Sequence, residues 1–277
     1  AALPPPPEPR GCLEKRRMPI IMAAMNVRDL DGYFRSLLAI DAMREKDVSV
    51  NGLQVGRRTE QVERVAFAVD ACMETFLRAS EWEADMLCVH HGLFWGHEAT
   101  ITGRHYERIR HLIEADLALY AIHLPLDFHP TLGNNAQMAK ALELQGVEPF
   151  GSYHGTKIGV LGHLPEPLDV GSVCDRLFGD PAEALSVLPF GVEEVRTVAL
   201  VSGGAPKLVA EAIGRGVDLF ITGDASHTVY HDALEAGINV VSGGHYRTET
   251  WGVQALADRL AEDTGMLTTF IDVPTGL

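Results

Sequence analysis

Histidines 90 and 91 close the apolar run of CVHHGLFWGH (88–97) and stand next to each other. Adjacent side chains on a strand point to opposite faces, so the two imidazoles share a site only where a strand ends. The plain alternative is one packed histidine and one solvated one. HLPLDFHPTLGNN (123–135) supplies Asp127 as a hard oxygen ligand, with His123 a ligand or the group that orients one. Pro125 and Pro130 predict a rigid loop there rather than a helix. An aspartate serving loop amides is the bland reading of Asp127. In GGHYRTETWG (243–252) a spacing of four puts His245 and Glu249 one turn apart on a helix face.

Two or three imidazoles with two carboxylates exceed what one tetrahedral zinc takes. They suit a pair of divalent ions bridged by a carboxylate. Without thiolates, mixed nitrogen and oxygen ligation fits Zn²⁺, Mn²⁺, Fe²⁺, Co²⁺ or Ni²⁺ and does not choose among them. In TGDASHTVYH (222–231), Asp224 and His227 are candidate proton carriers or ligand-orienting partners, and His123 is a third. Asp224 as a helix cap is the alternative. VSGGAPK (201–207) lacks the phosphate-loop pattern and reads as a tight strand-to-helix turn.

These residues need elements that deliver them to one place. Strands are predicted at RVAFAVD (64–70), DMLCVHHG, LALYAIH (117–123), TKIGVLGHL, RTVALVSG, VDLFITGD, INVVSGGH and TTFIDV. Helices are predicted over 72–83, 104–115, 134–144, 169–178, 206–214, 227–236 and 248–262, the third with a capping asparagine. Short apolar strands separated by helices indicate an α/β fold with parallel or mixed sheets. The pattern also repeats. Displaced by 133 residues, VAFAVD falls on VALVSG and Asp85 falls on Asp218, and further on His123-x-x-x-Asp127 faces His245-x-x-x-Glu249. Two related α/β units packed about an approximate two-fold axis are therefore expected, with the metal site in the cleft between them. Ligand sites in such sheets lie beyond the carboxyl ends of strands, which is where His90, His91, Asp127, Asp224 and His245 fall. The expected division is 25–130, joined by 245–277, for the first unit and 131–244 for the second.

Bulk properties narrow the partners. The net charge of −15, with no basic block, argues against binding nucleic-acid backbones. Four scattered cysteines form neither a disulfide framework nor a zinc ribbon and suit a reducing cytoplasm. No apolar run reaches the ~20 residues that span a bilayer. Residues 1–24, Pro-rich and then basic, are read as a disordered extension or an artefact outside the fold.

NGLQVG (51–56), HHGLFW (90–95), HLPLDFHPTLGNNAQ (123–137), FITGDASH (220–227) and GGHYRTE (243–249) together resemble the NIF-three-like family, also called GTP cyclohydrolase I type 2 homologues. The resemblance runs from about residue 26 to the end and matches the short bacterial type. It implies a dinuclear metal site held by His90, His91, Asp127, His245 and Glu249, with Glu249 as the bridge. It also implies a toroidal homohexamer with the sites facing an inner cavity. TGD stands where many members carry TGE, which shortens an acid near the site. The function expected is a metal-dependent hydrolase using a metal-bridging hydroxide on a small nucleotide or cyclic amide. A non-enzymatic metal-delivery, regulatory or scaffold protein is the alternative.

Overall fold

The computed structural model describes residues 24–277 except 98, 154, 181 and 183. The expectation for residues 1–24 thus falls outside the described residues but for the last. The first half of the chain runs β1 (Met25–Asn26), α1 (Val27–Leu38), β2 (Gly52–Val55), β3 (Gln61–Val62), β4 (Arg64–Asp70), α2 (Met73–Glu81) and β5 (Met86–His91). It continues through α3 (Gly103–Glu114), β6 (Ala118–Ala121), α4 (Leu124–Asp127) and α5 (Asn134–Ala141). The second half runs β7 (Gln145–Tyr153), β8 (Thr156–Leu168), α6 (Val170–Phe178), β9 (Ser186–Pro189), β10 (Val195–Val201) and α7 (Val209–Arg215). It ends with β11 (Leu219–Thr222), α8 (Val229–Ala236), β12 (Asn239–Ser242), α9 (His245–Thr264) and β13 (Leu267–Phe270).

The strands form an α/β architecture of two mixed sheets, ordered β13-β4-β5-β6-β2 and β7-β8-β10-β11-β12-β9, beside the small β1-β3 pair. In the first sheet β13, β4, β5 and β6 are parallel and β2 is antiparallel at the edge. In the second, β10, β11 and β12 are parallel and β9 is the antiparallel neighbour of β12. The order β4-β5-β6-β2 thus recurs as β10-β11-β12-β9. One detail of the repeat is chemical. Asp85 accepts from the amides of Glu63 and Arg64 at 2.8 and 3.0 Å, and Asp218 accepts from those of Arg196 and Thr197 at 2.9 and 2.8 Å. Each residue of the second set lies 133 positions after its counterpart.

Apolar runs become central strands because both faces of each sheet are covered. Phe67, Met86 and Tyr120 pack under α1 and α9 with Phe34 and Leu256, whereas Ala68, Leu87 and Leu119 pack under α2 and α3 with Phe76 and Leu112. In the second sheet Val198 and Ile221 meet Met138 and Val173 from α5 and α6, while Ala199 and Phe220 meet Ala212 and Ala233 from α7 and α8. Helix α1 starts where the Asn26 side chain accepts the Asp29 amide, and it buries Leu30, Phe34 and Leu38 at four-residue spacing. Among the described residues no helix is long and apolar enough to cross a membrane.

Three local expectations are corrected. Pro125 does not exclude a helix: α4 is a single turn with proline at its start, where no amide donor is needed. Asn134 does not cap α5: the cap is Gly133, and the Asn134 side chain is used elsewhere. The exposed segment Gln145–Tyr153, with Gly146, Pro149 and Gly151, was not expected to be a strand, yet it is β7, hairpinned onto β8.

Candidate metal centre

The β4, β5 and β6 strands end side by side, and β5 delivers His90 and His91 at its last two positions. The two rings share one space at the strand's end, with centroids 4.7 Å apart. Gly92 follows with an ordinary backbone. What requires glycine is space, because a β-carbon would sit 2.4 Å from the Gln54 Oε1 that accepts the amides of Leu93 and Phe94. The chain then brings Trp95 against His91 and His123. Its ring lies 5.9 Å from His91 and 5.2 Å from His123, and its Nε1 donates to the Gly92 carbonyl. The aromatic lid and the histidine cradle belong to one structure.

Four imidazoles meet here, and in each Nδ1 is already engaged. His90 Nδ1 contacts the Ile122 carbonyl at 3.0 Å, His91 Nδ1 contacts Asp70 at 2.9 Å, His123 Nδ1 contacts Asp47 at 2.9 Å, and His245 Nδ1 contacts Asp224 at 2.8 Å. A partner on one ring nitrogen fixes ring orientation and leaves the other as the ligand atom. Those other atoms converge. His90 Nε2 is 3.5 Å from Asp127 Oδ2 and 3.6 Å from Glu249 Oε1. His91 Nε2 and His245 Nε2 are 3.2 and 3.3 Å from Glu249 Oε2. Two groups have ligand atoms within 4.8 Å of one another: His90 with His91 and His123, and His91 with His245 and Glu249.

The two carboxylates come from opposite sides. Glu249 sits on α9, buried, one turn beyond His245, the helix's first residue. Asp127 ends α4, and its Oδ1 accepts from Asn134 Nδ2 at 2.8 Å while Asn134 Oδ1 accepts the Gly252 amide. Gly203 forms the remaining wall: a β-carbon there would lie 2.2 Å from Glu249 Oε1.

Such a crowd of bases and acids could hold a cation at its centre. His90 Nε2 and Glu249 Oε2 are fully buried with no hydrogen-bond partner, although each is within ion-pair distance of opposite groups. A buried polar atom without a partner costs about 1–3 kcal/mol, and ligation removes that cost. Burial pushes the His90 imidazolium down, but Asp127 and Glu249 outweigh it and hold the group up at about 9. Contact with the Glu249 carboxylate raises His245 to about 9 against its partial burial, with help from Asp224. Burial alone would raise Glu249, yet His90 and His245 keep its carboxyl well below the usual range. Nitrogen and oxygen donors of this kind fit a borderline divalent metal.

The sequence reading placed His90, His91, Asp127, His245 and Glu249 together, and the structure brings these five into one cluster. His123 belongs to a ligand-capable group as well as standing beside the cluster. Asp224 lines the same cavity and pins His245, and it caps no helix. His227 is exposed and lines a different cavity, with Ser186 and Tyr230. Sequence reasoning missed Asp47, Asp70 and Gly203. Asp70 had a signal: it ends the strand beside the histidines and pairs with His91 in register.

The profile of the Duf34/NIF3 (NGG1p interacting factor 3) family matches residues 25–275. A GTP cyclohydrolase 1 type 2 homolog of Treponema pallidum (strain Nichols) is 41% identical, with 91% of this chain and all of that protein covered. A protein of the same name from Archaeoglobus fulgidus is 46% identical over 91% of this chain and 100% of its own. Among solved structures, a Thermus thermophilus protein superposes with a TM-score of 0.83 at 40% identity, covering 91% of this chain and 100% of that one. A Bacillus cereus protein related to NIF3 shares the fold, with a TM-score of 0.75 at 19% identity over 91% of this chain and 98% of its own.

Proposed function

The chain belongs to the Duf34/NIF3 family, and on that premise we propose that it is a dinuclear metal-dependent hydrolase acting on a small molecule. One observation carries this reading: of four imidazoles pinned through Nδ1, those of His90, His91 and His245 turn Nε2 toward two carboxylates, and the innermost atoms lack hydrogen bonds. Glu249 reaches toward His90 through Oε1 and toward His91 and His245 through Oε2, an arrangement in which it would serve as the bridging carboxylate.

His90, His91, Asp127, His245 and Glu249 hold the ions, with His123 a further ligand or proton carrier. Two divalent ions, when bound, supply Lewis acidity and a water acidified toward neutral pH. The protein's own groups do the rest. Asp70, Asp47, Asp224 and the Ile122 carbonyl keep the rings in one tautomer and orientation. Trp95 screens His91 and His123 from bulk water. Asp224, half-buried at the cavity wall, is positioned to take or return a proton, and exposed His227 is the weaker candidate for that role. Substrate candidates are nucleotides and cyclic amides.

The reading includes two α/β units related by an approximate two-fold, 25–130 with 245–277 and 131–244, and the site in the cleft between them. It also includes a toroidal homohexamer, which the family resemblance supports. A cytoplasmic location agrees with the free thiols of Cys72, Cys88 and Cys174.

Elemental analysis tests the centre. Purified protein should carry close to two divalent ions per chain, and Glu249→Ala should lose both. His111→Ala, whose ring contacts Ser80, should keep them. Loss of one ion in Glu249→Ala removes the bridging role. A metal-free wild type after loading with Zn²⁺ or Mn²⁺ removes the centre.

A further inference from the structure

A cavity of about 580 Å³ opens beside the cluster, a volume suited to one small organic molecule. At one end it is lined by His123, Asp127, Asp224, His245 and Glu249, and its side wall includes Leu124, Ile158 and Leu208. The remaining charged side chain of the lining is Lys207. It is exposed and makes no ion pair among the described residues. Lys157, on the neighbouring hairpin, is by contrast tied to Glu211 at 2.6 Å.

The backbone of Lys207 is tied into the loop that walls the metal ligands. It sits in the helical turn Pro206–Leu208, in the same loop as Gly203, which walls Glu249. The Gly203 carbonyl accepts the amides of Ala205, Gly223 and Asp224 at 3.2, 2.9 and 3.1 Å, and the Leu208 amide donates to Ala205. Four residues of chain reach at most ~14 Å, so one small molecule can touch both the lysine and the metal end. We propose that the substrate of this site is an organic anion, with a phosphate or carboxylate group bound by the Lys207 ammonium while its reacting group faces the metal ligands. This rests on the hydrolase reading above and adds the substrate's charge to it. The carboxylates of the lining are Asp127, Asp224 and Glu249, and Lys207 supplies its ammonium group.

Calorimetric titration of the metal-loaded full chain tests this, with phenylphosphonate, benzoate and the neutral dimethyl phenylphosphonate as probes. Lys207→Ala should weaken at least one of the two anions by about ten-fold, the worth of a charged hydrogen bond. Lys207→Arg should restore it to within about three-fold, and the neutral ester should not distinguish the three proteins. A response confined to phenylphosphonate identifies a phosphate group, and an equal response to benzoate identifies any oxyanion. Wild type that binds neither anion, or Lys207→Ala that binds both as wild type does, overturns the proposal. Metal content is measured on the same preparations. Bound metal without a lysine effect sinks the anion subsite and leaves the centre, and a lysine effect on protein that takes up no metal does the reverse.

Discussion

Gly203 stands so close to Glu249 that a β-carbon on it would lie 2.2 Å from Oε1 and 3.3 Å from His245 Nε2. Its φ of 64° lies in the left-handed region. Both facts demand glycine, and they separate experimentally. Gly203→Ala should cost about 1–2 kcal/mol from backbone strain alone, and it should also displace Glu249 and lower the metal content. Gly216 shares the conformation, with φ 65° and open space around it, so Gly216→Ala reports the strain by itself. Thermal melts and metal analysis of both variants check this. Full metal content in Gly203→Ala would contradict the close approach.

The carboxylates behind the histidines give a graded prediction. Asp70→Ala and Asp224→Ala each free one imidazole, His91 or His245, without removing a ligand. Loss of such a partner typically weakens metal binding by about 10–100-fold. Competition against a chelating dye measures it. An unchanged affinity in both variants would mean that packing, not the Nδ1 contact, holds the rings.

How much of this was legible beforehand follows from distance along the chain. His90 with His91, and His245 with Glu249, are local pairs, so spacing marks them as candidates, and the family motifs that contain them identify them as ligands. Asp70 reaches His91 only because β4 lies beside β5, and Asp47 reaches His123 from a segment between α1 and β2. Neither carries a short-range pattern. The glycines of VSGGAPK read as a turn, and they are one, but their closeness to Glu249 depends on how α9 packs against the end of β10. The parallel core was legible because both faces are apolar. The antiparallel edges β2, β7 and β9 were not, since β2 and β9 are only four residues long and Pro149 interrupts the exposed β7.

Metal should stabilise the fold, because the ligands come from α4, α9 and β5. A ligand at a hundred times its dissociation constant adds about 2.7 kcal/mol. For a chain of this size that is a melting shift of roughly 5–10 °C. Chelation should therefore lower the wild-type melting temperature by that amount and leave Glu249→Ala unmoved. An equal drop in both would trace the effect to chelator rather than to the centre.

Far from the site, Asp116 gives a test by pH. Its carboxylate accepts the amides of Arg58 and Thr59 at 2.6 and 3.2 Å, and Arg57 lies 3.6 Å away. The Arg58 amide leads in pulling its pKa down to about 2. A depressed carboxylate stabilises the fold above its unfolded pKa and loses that contribution as pH falls through the folded value. The side chain is partly open to solvent, so the worth is discounted to about 1 kcal/mol. Asp116→Asn keeps the left-handed backbone that this residue adopts at φ 51°. Unfolding free energies from urea titration should then differ by about 1 kcal/mol at pH 7, and the gap should narrow from pH 4 toward pH 2. A gap that stays constant over that range would place the loss in the backbone turn instead of in the charge.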